Sequence, residues 1–185
     1  MPEFDAISVL RNGCHHLHRQ LERKGGFSRL LKQEVEIADY ASALKVLFRF
    51  ISTFESGLIF LIEKTPLSEI YVERLPLLQA DLETLNEIVP ICADLPHAAS
   101  TLEDACGLVY VMEGASLGSA VIRRHLRTCL GNDLPIRYFG LHAENPDHWE
   151  TVTRRLVTML PDHASAARAA GSAADAFSIL ISMAK

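Results

Sequence analysis

Arg11, His18 and Glu22 have the residue types and spacing of a metal-ligating site within one helical segment. At 3.6 residues per turn, His18 lies at the edge of an apolar stripe, and Glu22 lies one turn later, where its carboxylate can accept the second imidazole N–H. Arg11 lies two turns before His18 at nearly the same azimuth, about 10 Å away along the axis. A half-buried neutral histidine oriented by a carboxylate suits an axial ligand of haem iron, although a histidine satisfied in the core is the commoner explanation. The stripe consists of Leu10, Cys14, Leu17 and Leu21.

The neighbouring histidines, His15 and His16, fall further from the apolar stripe and are predicted to be solvated. A zinc site is not indicated, because no second pair of cysteine or histidine ligands follows at a suitable interval.

A second segment, residues 110–120, combines small residues with helical spacing. Gly114 and Gly118 share one helix face, and Gly107 lies two turns earlier on the same face. Each glycine inside a helix costs about 1 kcal/mol relative to alanine, so packing or function must compensate. A bare face of this kind lets a flat ligand lie against the backbone and weakens the helix enough to bend. Close contact with another helix is the commoner reason for such glycines, and the sequence alone leaves both explanations open.

The composition predicts a soluble globular protein. The chain has 185 residues, of which 49% are hydrophobic and 22% charged, and its net charge of −5 gives no basic footprint for nucleic acid. Four scattered cysteines contain no CxxC pair, so neither a zinc ribbon nor a redox dithiol is indicated. No signal-peptide pattern and no charge-free apolar span of membrane length occur, so we expect a cytoplasmic protein without a membrane partner.

The elements that must position these residues are predicted to be helices in one domain, residues 1–185. Asp39, Thr101 and Asp162 are the expected N-caps, and Gly25-Gly26, Pro66 and Pro161 are the expected helix ends. β-branched alternation is nowhere sustained, so the fold class is all-α. The predicted helices cover about 5–24, 40–63, 76–85, 101–130, 148–160 and 163–183, with short turns at 27–33 and 68–74 and loops around Cys92 and over 132–145.

The two segments together resemble the haem oxygenases, specifically the soluble bacterial type that produces biliverdin. Residues 10–22, LRNGCHHLHRQLE, resemble the family's early Leu-Arg/Lys-x-x-Thr-x-x-x-His-x-x-x-Glu signature. Residues 110–119, YVMEGASLGS, resemble its later Tyr-Val-Leu-Glu-Gly-Ser-x-Leu-Gly-Gly signature. The resemblance extends more faintly over most of the chain, through Tyr40, Leu44, Asp81-Leu82, Tyr138-Phe139-Gly140 and Trp149.

This resemblance implies a single-domain helical bundle with haem between the first helix and a bent, glycine-rich distal helix. His18 would be the iron ligand and Glu22 its hydrogen-bond partner. Haem propionates would be bound by Arg11, Tyr110 and Arg154, and the distal catalytic face would contain Gly114, Gly118 and Ser119.

The implied reaction is oxidative cleavage of haem, which is both cofactor and substrate, to biliverdin, Fe²⁺ and CO. Electrons would come from an external donor, namely a ferredoxin, a reductase or an ascorbate-like reductant, because the chain has no flavin, nicotinamide or iron–sulfur motif. A biliverdin-using photoreceptor is a candidate downstream partner.

Three positions depart from the family pattern. Cys14 replaces the usual threonine, and Ser119 replaces the second glycine of the Gly-Gly pair. Ala115 stands where animal enzymes have an aspartate that organises distal water. Distal water would then be held by backbone carbonyls and by Ser116, Ser119 or another group.

Two alternatives to the enzyme stay open. Ala115 favours a haem or bilin carrier or sensor with the same pocket and no turnover. A helical protein acting on another ligand, or an interaction bundle, would be favoured if His18 were buried among apolar neighbours with no cavity beside Gly114.

Overall fold

The computed structural model describes residues 4–24, 26–91 and 99–184, and within these ranges all regular structure is helical. A 3₁₀ helix, Gly26–Leu31, follows the first of seven α-helices. The α-helices are α1 (Ala6–Lys24), α2 (Ile37–Ile62), α3 (Leu75–Thr84), α4 (Leu102–Leu130), α5 (Arg137–Gly140), α6 (His148–Met159) and α7 (His163–Met183).

Capping boxes start three of the long helices. Thr101 and Asp104 cap α4 reciprocally, and Asp162 and Ser165 do the same for α7, as the sequence predicts. The expected N-cap of α2, Asp39, is wrong by three residues, because Glu36 is the N-cap. Asp39 is the third helical residue, and its carboxylate accepts a hydrogen bond from the Glu36 backbone N–H. Asp39 therefore stabilises the start of α2 from inside the helix.

The Ala-rich helix α7 holds α1 and α4 together. Its buried face consists largely of alanines, which let two helices approach closely. A Cβ at Gly13 of α1 would lie 2.8 Å from the Cβ of Ala170, and one at Gly107 of α4 would lie 2.2 Å from the carbonyl oxygen of Ala169. Both glycines are therefore required by close helix contact, which fixes α1 and α4 relative to each other.

Helix α4 runs through the middle of the bundle without interruption at Gly114 or Gly118. It is long and apolar enough to cross a membrane by length and composition, but half of that apolar window is buried inside the protein. A core helix of a soluble bundle has these properties, and the packing of α4 against α7 and α6 agrees with that explanation.

The predicted helices agree with the observed ones to within a few residues at most ends. The 132–145 region, predicted to be mostly loop, contains the four-residue helix α5. Two predicted features, the loop around Cys92 and the helix end at Gly25, fall on residues outside the described ranges.

Candidate functional site

A cavity of about 220 Å³ opens between α1, α2, α4 and α7, with one residue each from α5 and α6; we call it the large cavity, to distinguish it from a cavity of about 10 Å³ also lined by α4. Apolar and aromatic side chains form most of its wall, and bare backbone at Gly114 forms part of it. Cavities that enclose a whole small ligand are about 300–1,000 Å³, so this one is below the size that would enclose such a ligand completely. The lining residues are His18, Leu21, Leu47, Phe50, Ile51, Tyr110, Val111, Met112, Gly114, Ala115, Leu117, Tyr138, Trp149, Phe177 and Leu180.

His18 faces the large cavity with one ring nitrogen engaged. Its Nδ1 lies 3.5 Å from Oε1 of Glu22, which leaves Nε2 available to a ligand. The ring makes an edge contact with Phe177, with centroids 5.6 Å apart, and 53% of the side chain is exposed. Phe177 therefore restrains the imidazole at the cavity mouth, while Glu22 fixes which nitrogen is free.

Arg11 and Tyr110 come together although they are 99 residues apart in sequence. Burial raises the pKa of the Tyr110 hydroxyl, and a hydrogen bond with the guanidinium of Arg11 opposes that rise. The Tyr110 ring also packs on Trp149, with centroids 5.5 Å apart. Tyr110 lines the large cavity, and Arg11, which lies outside the cavity lining on α1, is close enough to act on the Tyr110 hydroxyl.

The three glycines of α4 have different surroundings. Helix α7 occupies the space beside Gly107, as described above, and Gly107 does not line the large cavity. A Cβ at Gly114 would meet only the Trp149 ring, at 3.4 Å, and one at Gly118 would meet nothing within 4 Å. Close helix packing therefore explains Gly107. Gly114 lines the large cavity beside Trp149, whereas Gly118 is exposed, faces open space and is not part of the cavity lining.

Ser119 and Arg154 lie away from the large cavity. Ser119 is buried, and its hydroxyl donates to the carbonyl of Ala115, 3.0 Å away. Arg154 is exposed on α6 and pairs with Glu150 at 2.9 Å. Neither residue lines the large cavity, and their predicted roles stay predictions.

Sequence reasoning missed a buried charged group behind α4, formed by Glu113, Arg74, His142 and His148; we call it the Glu113 cluster. Arg74 Nη2 lies 2.8 Å from Oε1 of Glu113, and the Nε2 atoms of His148 and His142 lie 2.7 and 3.2 Å from Oε2. Burial alone would raise the pKa of Glu113, but the adjacent imidazole of His142, the charge of Arg74 and the hydrogen bond with His148 lower it to about 2. Glu113 is thus an ionised carboxylate in the core.

One signal could have identified Glu113. It stands between buried positions of α4, where a charged residue needs partners, and it belongs to the later motif. Its partners come from three other segments, and no helical spacing links them.

The comparisons with known proteins agree with this architecture. A family profile described as "Heme oxygenase" matches residues 5–185. A protein named heme oxygenase from Xanthomonas campestris pv. campestris (strain 8004) is 32% identical over 141 residues, which are 75% of this chain and 82% of that one. The crystal structure of heme oxygenase-1 from the cyanobacterium Synechocystis sp. PCC6803, determined in complex with heme, has a similar fold, with a TM-score of 0.77 and 24% identity over 97% of this chain and 90% of that one.

Proposed function

The chain belongs to the haem oxygenase family, and from that premise we propose how its own residues bind haem and direct its oxidation. A haem oxygenase is an oxidoreductase that uses O₂ and external electrons to convert haem to biliverdin, Fe²⁺ and CO. When bound, haem supplies the iron that activates O₂ and is itself the molecule oxidised. The cavity with a histidine on one wall and bare glycine backbone on the other is the observation that carries the proposal.

His18 is the proposed iron ligand. Its Nε2 at the cavity mouth, the contact of Nδ1 with Glu22 and the apolar lining all fit an imidazole that would hold the iron of haem. The carboxylate of Glu22 lies beside Nδ1 and would help to orient the ring, with Nε2 towards the iron.

Arg11 and Tyr110 are the proposed partners of a haem propionate. A guanidinium can hold a carboxylate by two parallel hydrogen bonds, and the Tyr110 hydroxyl adds a third donor beside it. Arg154 remains a further candidate, and its exposed pair with Glu150 would have to open to reach a propionate.

Bare backbone at Gly114 and Gly118 is proposed to leave room for O₂ next to the haem plane. Ser119 belongs to the same distal face, and its hydroxyl fixes the Ala115 carbonyl. The finer aspects of the setting are also proposals: a cytoplasmic location, electrons from a ferredoxin, a reductase or an ascorbate-like reductant, and a photoreceptor that takes up biliverdin.

Replacement of His18 tests the proposal. We expect His18→Ala to lose the six-coordinate haem spectrum and nearly all formation of biliverdin when haemin and ascorbate are supplied in air. His15→Ala and His16→Ala are the matched controls, because both side chains are exposed on the same helix. Equal loss in His16→Ala would show that the ligand has been assigned to the wrong histidine.

A haem or bilin carrier is the second candidate function, and the absence of an acid at Ala115 favours it. The same spectra distinguish it from the enzyme: a carrier keeps its Soret band after ascorbate is added, whereas the enzyme loses the band as biliverdin appears. The interaction-bundle alternative required that no cavity lie beside Gly114, and this condition is not met.

A further inference from the structure

The Glu113 cluster contains two imidazoles that compete for one carboxylate oxygen. His142 and His148 are stacked, with ring centroids 3.4 Å apart and planes 10° from parallel, and both Nε2 atoms face Oε2 of Glu113. His142 has a positive φ of 62°, a conformation that a side chain of this size rarely adopts, so the fold accepts strain to place this ring.

The buried charges around Glu113 would be balanced by one more proton. Arg74 and Glu113 neutralise each other, and the buried Glu55 adds a second carboxylate close by. The oxygens of Glu55 accept from the Tyr71 hydroxyl and from the backbone N–H groups of Arg74 and Leu75, which is the acceptor-only pattern of an ionised carboxylate.

One protonated imidazole would therefore bring the net charge of this buried group to zero. Two protonated rings, stacked face to face, would repel each other in a medium of low dielectric constant. Two tyrosines also face the cluster, Tyr138 and Tyr71, whose ring lies under the Arg74 guanidinium, and burial raises the pKa of both hydroxyls.

The ring geometry argues against a metal ion at this site. Glu113, His142 and His148 are close enough together to be considered as ligands. A metal bound to imidazole lies near the plane of the ring, but two nearly parallel planes separated by about the stacking distance share no such point. Arg74 also already occupies the other oxygen of the carboxylate.

A small cavity lies beside the Glu113 cluster and shares part of its lining with the large cavity. Its volume of about 10 Å³ is that of a single water, and His142, Arg74, Ser116 and Ser119 supply polar lining. The remaining lining includes Met112, Ala115 and Tyr138, which also line the large cavity. These three residues therefore belong to both cavity walls, and one of them is Ala115, the position that lacks an acid.

We propose that His142 and His148, which both face Glu113, share one exchangeable proton between their rings, and that His142 passes it through water in the small cavity to the haem pocket. Since both Nε2 atoms face Glu113, the extra proton resides on Nδ1 of one ring. The proton given up is replaced from solvent, to which 11% of the His142 side chain is exposed. This pair would be the group that compensates for the missing acid at Ala115, and the inference rests on the proposed function.

The first test uses the haem-free protein and follows the histidine side chains by NMR during a pH titration of isotopically labelled material. We expect His142 and His148 to take up protons in two separate macroscopic steps, because the second proton must overcome the repulsion within the stack. In His148→Gln, His142 should titrate in a single step. Independent titration of both rings in the parent protein would overturn the proposal, as would binding of one equivalent of Zn²⁺ by both rings.

The second test measures the haem complex. His142→Gln keeps an N–H near Nε2 but cannot hold an exchangeable proton, and His142→Asn is a second variant because asparagine tolerates positive φ. We expect biliverdin formation at neutral pH to fall about 10–100-fold, at or below the range of a general acid, with a larger solvent isotope effect and a flatter pH profile. The exposed His163, replaced in His163→Gln, is the matched control.

The two tests separate failure of this inference from failure of the proposed function. An unchanged pH profile and isotope effect in both His142 variants, with turnover intact, would overturn the proton-holding pair alone. Absence of turnover in the parent protein would refute the enzyme, while the NMR titration would still decide whether the rings share a proton.

Discussion

At the scale of single residues, the contact with Tyr110 distinguishes Arg11 from an ordinary exposed arginine. An arginine on a surface helix is ordinarily a solvated charge of little consequence. Here its guanidinium bonds to a partly buried tyrosine that lines the large cavity, so its position is set by the fold. A cation fixed on the same helix as the ligand can define how an anionic ligand sits about the iron axis.

We expect Arg11→Ala to retain haem, because His18 still ligates iron, but to give a changed mixture of biliverdin isomers. Loss of the clamp frees the macrocycle to rotate, so another meso edge meets the oxygen. The products are separated by chromatography and compared with those of the parent. Arg154→Ala is the control, and a shift in that variant alone would transfer the seating role to Arg154.

The relative positions of the α1 residues could be predicted from sequence because these residues lie within a single helix, and their roles stay predictions. The spacing of Arg11, His18 and Glu22 is enough to place them on one face of α1. The Glu113 cluster was not predictable in this way, since Glu113 and His148 are 35 residues apart and come from different helices. His142, in a turn with positive φ, has no periodicity to reveal it.

At the scale of helices, two glycines of α4 have opposite surroundings: Gly107 packs against α7, and Gly118 has no neighbour where a side chain would lie. The backbone of α7 would be 2.2 Å from a Cβ at Gly107, and backbone cannot move aside as a flexible side chain can. At Gly118 the same Cβ meets nothing within 4 Å, so stability alone does not require glycine there.

This contrast predicts opposite effects on stability. Gly107→Ala should destabilise the fold by about 3 kcal/mol or more, at or above the usual cost of overpacking, because α4 and α7 must separate. Gly118→Ala should be neutral or stabilising by up to about 1 kcal/mol through helix propensity. Urea unfolding followed by circular dichroism measures both changes.

The functional companion to these variants is Gly118→Leu, which fills the open space. We expect it to reduce biliverdin formation much more than it reduces unfolding free energy. Wild-type turnover in Gly118→Leu would mean that the space beside Gly118 is not used by haem or its oxygen.

The ends of helices show which local signals suffice and which do not. Thr101 and Asp162 are followed three residues later by a reciprocating side chain, and this local pattern predicts both helix starts. Helix α5 depends instead on Asp81, whose carboxylate accepts from the backbone N–H groups of Arg137 and Tyr138. Because Asp81 lies 56 residues before Arg137, the sequence next to α5 does not reveal this cap.

At the scale of the whole molecule, α7 is the element that makes the site possible. It packs against both α1 and α4, so it sets the distance between His18 and Gly114 across the large cavity. Apolar periodicity and caps were enough to predict the all-α class, and that prediction is confirmed by the fold match. The sequence could not show that an alanine-rich segment would be the central support, because small residues give only a weak apolar pattern.

The buried charges also link stability of the whole fold to pH. The folded-state pKa of Glu113, about 2, is below its ordinary value of 4.5, because His142 and Arg74 stabilise the ionised form more than burial opposes it. A depressed carboxylate pKa contributes stability that is fully present above the unfolded value and is lost as the pH falls through the folded value. The relevant window is therefore pH 4.5 down to about 2.

We expect acidification through that window to cost the parent protein about 3 kcal/mol through Glu113, at 1.36 kcal/mol per unit of pKa difference. Glu113→Gln should be less stable at neutral pH, because Arg74 is left as a buried unpaired charge, and it should lose less stability on further acidification. Urea midpoints measured at a series of pH values for the haem-free proteins give both slopes. Glu150→Gln, which changes an exposed carboxylate, should follow the parent curve. Parallel curves for the parent and Glu113→Gln would show that Glu113 is not the ionised centre of the buried group.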